Sequence, residues 1–173
     1  MLMSPEASVI GDFVGDRGYL TLGSRLKRLG ERLHAEVQEL ARAEGVDLPA
    51  GLFPTLGALD TAGSLTIGEL ALGLGISQPG ATHNVARLTR LGLVRSVRRR
   101  VDRRVKVVTL TKRGEALVQA TKHDLWPRVE RGVAAICAGL DGSLLASLAA
   151  IERALDEKPL RVRAAKRGSD GDA

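Results

Sequence analysis

Thr66 to Leu110 reads TIGELALGLGISQPGATHNVARLTRLGLVRSVRRRVDRRVKVVTL, and its punctuation predicts a helix, a tight turn, a second helix and a hairpin. Thr66-Ile67-Gly68-Glu69 has the form of a capping box. In that arrangement the Thr66 hydroxyl accepts the Glu69 N–H and the Glu69 carboxylate accepts the Thr66 N–H. A short helix follows to Leu74, with Leu70, Ala71 and Leu74 as its inward positions. Gly75 and Ile76 make the turn, where glycine supplies backbone freedom. Ser77 suits the cap of the next helix, with Gln78 and Pro79 in its first turn. Ala81, Val85 and Leu88 fall at i, i+4 and i+7 and form its buried stripe. The helix ends near Leu91-Gly92 after ~14 residues, or ~21 Å. Val94–Arg98 and Val105–Leu110 are β-branched runs joined by a basic loop, the pattern of a hairpin.

The same stretch carries the charge of the chain. Between Leu70 and Val101 there is no acid, while Arg87, Arg90, Arg95, Arg98, Arg99 and Arg100 are present. Asp102 is the one acid among eleven bases from Leu70 to Arg113, a local charge of +10. The chain holds 26 bases and 20 acids, so 15 bases and 19 acids lie outside this stretch. A solvated face usually mixes signs; this imbalance points to a polyanion. None of the four aromatic residues, Phe13, Tyr19, Phe53 and Trp126, lies within it. Stacking on unpaired bases is therefore a poor fit, and duplex phosphates are the better one.

The flanks read as helices. Residues 1–18 form an arm with at most a short helical piece. Leu22, Leu26, Leu29, Leu33, Val37 and Leu40 make one apolar stripe of a long helix, which Gly45 is placed to end. A shorter helix is expected from Pro54 to Thr61, and Ala62-Gly63-Ser64 is read as a turn. Thr111 is expected to cap one long helix reaching Ala138, with Leu117, Leu125, Val129 and Val133 inward. Asp141 is expected to cap a last helix carrying Leu144, Leu148, Ile151 and Leu155. Pro159 stops or bends it, and residues 161–173 form a polar tail. The fold class is mainly α with a small β-hairpin wing: a winged helix-turn-helix head over residues 53–114, flanked by helices at 19–45 and 115–160. Those flanking stripes exceed what one small head can cover, which implies a homodimer.

A recognition helix of this kind enters the major groove with its N-terminal half against base edges. The candidate DNA-binding residues there are Ser77, Gln78, Gly80, Thr82, His83 and Asn84. Gln and Asn pair bidentately with adenine, and Thr meets a polar edge or a thymine methyl. Gly80 stands where a capping box would place a carboxylate, so no acid opposes phosphate. It costs the helix roughly 0.5–1 kcal/mol relative to alanine. Arg87 is a further DNA-binding candidate: Arg87 and Arg90 are expected to make one phosphate contact between them, the alternative being that both only snorkel along the helix.

With Thr66–Leu91, Gly92-Leu93-Val94, Val101-Asp102-Arg103-Arg104 and Leu110-Thr111-Lys112-Arg113-Gly114 in view, the chain resembles the MarR family of bacterial transcriptional regulators. That family carries an Asp-x-Arg element in its wing and a following Leu-Thr-x-x-Gly, here Asp102, Arg104, Leu110, Thr111 and Gly114. The resemblance implies an obligate homodimer joined through the terminal helices. It also implies wing contacts to the minor groove from Arg98, Arg99, Arg100, Arg103 and Arg104, with Asp102 orienting an arginine. The chain departs from the family at Gly80 and Ala81, where larger residues are usual, and in a wing dense in arginine without a proline near its tip.

Other classes fit less well. Gly73-Leu74-Gly75 lacks the preceding strand of a nucleotide-binding loop, and no nucleophile or paired-carboxylate arrangement is present, so an enzyme is not expected. His34, His83 and His123 lack metal-ligand spacing; no metal or cofactor is expected. Cys137, the single cysteine, sits among small apolar residues as a packed side chain. It allows no intrachain disulfide, so a cytoplasmic setting is expected. Neither a signal peptide nor a membrane span is read. A repressor relieved by a small ligand is the expected role. A winged-helix protein-interaction module and a weakly specific architectural DNA binder are the alternatives.

Overall fold

A computed structural model describes residues 12–98 and 105–165. The capping box forms as its residues dictate: Glu69 N donates to Thr66 Oγ1 over 3.1 Å, and Thr66 N donates to the Glu69 carboxylate over 2.6 Å. Helices α1 (Phe13–Asp16), α2 (Leu22–Ala43) and α3 (Phe53–Ala62) precede it. Strand β1 (Ser64–Leu65) leads into α4 (Ile67–Gly73) and α5 (Gln78–Arg90), followed by β2 (Val94–Arg98) and β3 (Lys106–Leu110). Then come α6 (Lys112–His123), α7 (Leu125–Cys137), α8 (Leu144–Glu157) and α9 (Leu160–Arg163). The chain divides into two compact units, Met1–Val129 and Glu130–Ala173.

In the first unit the core gathers the predicted stripe of α5, with Ala81, Val85 and Leu88 at most 5% exposed. Leu70 and Ala71 of α4 join it, as do Leu56 and Leu59 of α3, Val94, Val108 and Leu110 of the sheet, and Val118 and Leu125 beyond. Trp126 packs at its edge, where its ring lies 3.5 Å from the position a Cβ at Gly57 would take. Each fully buried leucine of this kind contributes about 1.5–3 kcal/mol of transfer free energy. The α4–α5 turn uses Gly75 at φ +62°, a left-handed conformation that glycine adopts without a Cβ penalty. In the second unit, α8 buries none of its residues, and Leu145 is 78% exposed.

Four expectations are corrected. The hairpin is a three-stranded antiparallel sheet in the order β1-β3-β2, because Ser64 and Leu65 pair with Thr109 and Val108. Ser64, read as part of a turn, is thus in a strand. Two residues show no periodicity, and only a partner 43 or more positions away makes them a strand. The helix expected from Thr111 to Ala138 is two, α6 and α7, parting at Asp124. Pro127 explains the break: it offers no N–H to the His123 carbonyl, and its ring would collide with it in a continuous helix. The cap of α8 is Ser143, whose Oγ accepts Ala146 N at 3.2 Å, and not Asp141. Gly142 at φ +76° turns the chain off a helical path between them. The tail expected from residue 161 begins as α9, where Arg163 donates to the carbonyls of Lys158 and Ala154.

Candidate nucleic-acid interface

The helix α5 is held at its N-terminus by Ser77, whose Oγ accepts Gly80 N at 3.2 Å. A Cβ at Gly80 would stand 3.2 Å from that same oxygen, so the absent side chain leaves the cap room. With Ala81, Val85 and Leu88 buried, geometry turns Gln78, Thr82, His83, Ala86 and Arg87 outward, and all five are exposed. Gln78, Pro79, Thr82, His83 and Ala86 line one shallow concavity on that face. Its chemistry is mixed. Gln78 offers an amide that lies beside Gly68 of α4. The Thr82 hydroxyl donates to Gln78 O over 2.9 Å, which leaves its lone pairs and methyl facing out. The side chains of Arg87, Arg90 and Arg113 make no ion pair or hydrogen bond among the described residues. Asn84 is placed differently from the other predicted readers. It is half-buried on the flank facing α3, and its Nδ2 donates to Thr55 Oγ1 over 3.4 Å.

The sheet carries the second part. Arg98 and Lys106 are Cα partners across β2 and β3. Like charges directly opposite destabilise a strand pair, and a polyanion would relieve that repulsion. Arg99, Arg100, Asp102, Arg103 and Arg104, the predicted wing contacts and their orienting acid, lie outside the described residues. The base of the hairpin is fixed by the Leu110-Thr111-x-x-Gly114 element. Thr111 Oγ1 accepts Gly114 N at 3.1 Å, capping α6, and donates to Gly92 O over 2.7 Å. Thr111 N donates to Leu93 O over 3.0 Å. Gly114 passes so close to that carbonyl that a Cβ would lie 2.1 Å from Leu93 O. Among the described residues there is no cluster of His, Cys, Asp and Glu able to hold a metal. No helix there is long and apolar enough to cross a membrane.

Residues 45–105 match the model of the MarR family. The matched segment is similar to that family. Solved structures of similar fold include the transcriptional regulator BldR from Sulfolobus solfataricus. It has a TM-score of 0.59 and 20% identity, over 80% of this chain and 94% of that one. BpsR from Bordetella bronchiseptica, whose DNA binding is regulated by 6-hydroxynicotinic acid, has a TM-score of 0.61 and 25% identity, over 79% and 93%. A MarR mutant from E. coli complexed with operator DNA has a TM-score of 0.56 and 21% identity, over 76% and 93%. Comparison with curated protein sequences finds no match. Sequence reading missed the contribution of Gly92 and Leu93, whose carbonyls tie the wing to α6. A backbone carbonyl leaves no mark on residue type.

Proposed function

We propose that the chain is a sequence-specific, double-stranded DNA-binding transcriptional regulator of the MarR type and not an enzyme. It acts as a homodimer on a pseudo-palindromic operator in the cytoplasm, as a repressor relieved by a small-molecule effector. The observation that carries this reading is the outer face of α5. Gln78, Thr82, His83 and Arg87 are exposed together on a helix fixed by its cap and its buried stripe. In this reading Ser77 and Gly80 bring the helix N-terminus to phosphate, and Gln78, Thr82 and His83 meet base edges. Arg98, Arg99, Arg100, Arg103 and Arg104 reach the flanking groove, with Asp102 orienting one of them. Residues 53–114 are the DNA-binding head, 19–45 and 115–160 the dimerisation region and 1–18 an arm. Uncovered apolar side chains support the dimer: Leu26 and Leu29 on α2, and Leu144, Ile151 and Leu155 on α8, are each 37–48% exposed. Two heads on a two-fold axis would address half-sites about 34 Å apart.

Selecting bound duplexes from a random pool tests the proposal. The expected product is a two-fold-related motif. Binding that random DNA competes away at equal concentration would leave only an architectural role, and no shift at low salt would point to a protein partner.

A further inference from the structure

We infer that Asn84 is a positioning residue that sets the roll of α5 from behind and controls specificity without touching a base. This rests on the proposed function. The apolar stripe of Ala81, Val85 and Leu88 fixes which side of α5 is buried, but apolar contact is non-directional. A helix so held can rotate by small angles while keeping its burial. Asn84 adds a directional contact on the flank of that stripe. Its amide meets the hydroxyl of Thr55, 29 residues earlier on α3. Thr55 is 1% exposed, and this is the one hydrogen bond its hydroxyl makes to another side chain among the described residues. A buried hydroxyl pays for desolvation unless it is bonded, so the pair has a preferred separation and angle. The exposed readers sit on the same rigid helix: Thr82 and His83 just before Asn84, and Gln78 six residues before it. Turning α5 at Asn84 therefore turns all three.

The test uses the full chain and the duplex recovered by selection, with random-sequence DNA as competitor. Asn84→Ala and Thr55→Val should each lower the ratio of specific to random affinity by roughly ten-fold, the scale of one misread base pair. The double variant should fall no further than either single one. Thr55→Ser should keep the wild-type ratio. The salt slope should not change, because neither residue carries charge. Loss in Asn84→Ala with Thr55→Val unaffected would make Asn84 a direct reader and overturn the inference. A lowered melting midpoint with an intact ratio would reduce the pair to packing and overturn it too. If the wild-type chain prefers no duplex, the functional reading fails, and the contact is judged in the free protein. There the Asn84 side-chain amide resonances should move in Thr55→Val and stay in Thr55→Ser. Unmoved resonances in Thr55→Val would refute the contact itself.

Discussion

Substituting Gly114 with alanine tests whether the base of the wing is as close-packed as its geometry requires. Glycine to alanine inside a helix ordinarily stabilises by roughly 0.5–1 kcal/mol. Here the new Cβ would lie 2.1 Å from Leu93 O, 3.0 Å from Leu93 C and 3.3 Å from Leu110 Cδ2. Two of these are backbone atoms, so no rotamer change relieves the clash. Either α6 or the Leu93 peptide must shift by about 1 Å to restore ordinary contact. That carbonyl accepts Thr111 N at 3.0 Å and Thr111 Oγ1 at 3.3 Å, so the shift also loosens the cap. Overpacking of this kind costs about 1–3 kcal/mol, and a loosened hydrogen bond adds about 1 kcal/mol. The helix-propensity gain offsets part of this. A net loss of about 1–3 kcal/mol should lower the melting midpoint by roughly 2–12 °C. Differential scanning calorimetry measures it. Gly73→Ala, at an exposed helical position with nothing within 4 Å, is the control and should not lower the midpoint. If Gly114→Ala melted at or above the wild type, the close approach of α6 to Leu93 would be refuted.

Three further outcomes are expected. Arg87→Ala should weaken binding evenly across duplex sequences and reduce the salt slope by about one; fluorescence anisotropy at several salt concentrations would show a sequence-dependent loss if Arg87 instead reads a base. The double variant Ile151→Glu with Leu155→Glu should sediment as a monomer and lose cooperative operator binding, whereas an unchanged sedimentation coefficient would remove α8 from the dimer. The hydrogen bond from the His123 ring to the Asp124 carboxylate, 2.7 Å long, together with its charge, raises the His123 pKa above its ordinary 6.5. The folded state thus holds the proton more tightly than the unfolded chain. Its small stabilisation is fully present below the ordinary value and is lost as pH rises through the raised one. Asp124→Asn should move the NMR titration midpoint of His123 back down, and an unmoved midpoint would locate the cause elsewhere.

The head was legible because its instructions are local. A threonine three residues before a glutamate makes a capping box wherever the chain can turn, and here it does. The i, i+4, i+7 spacing of Ala81, Val85 and Leu88 names the buried side of α5, and with it the exposed side. Spacing of three and four likewise marked α2 and α8. The basic surplus of residues 70–113 is a matter of counting. Other features depend on partners distant in sequence. Ser64 and Leu65 are a strand because β3 lies beside them. Gly114 reads as a helix residue until the Leu93 carbonyl is placed against it. Residue type made Asn84 a base reader like Gln78. Only tertiary packing sets it against Thr55, because which flank of a helix meets a neighbour depends on how α3 and α5 cross, and hydrophobic period does not encode that angle.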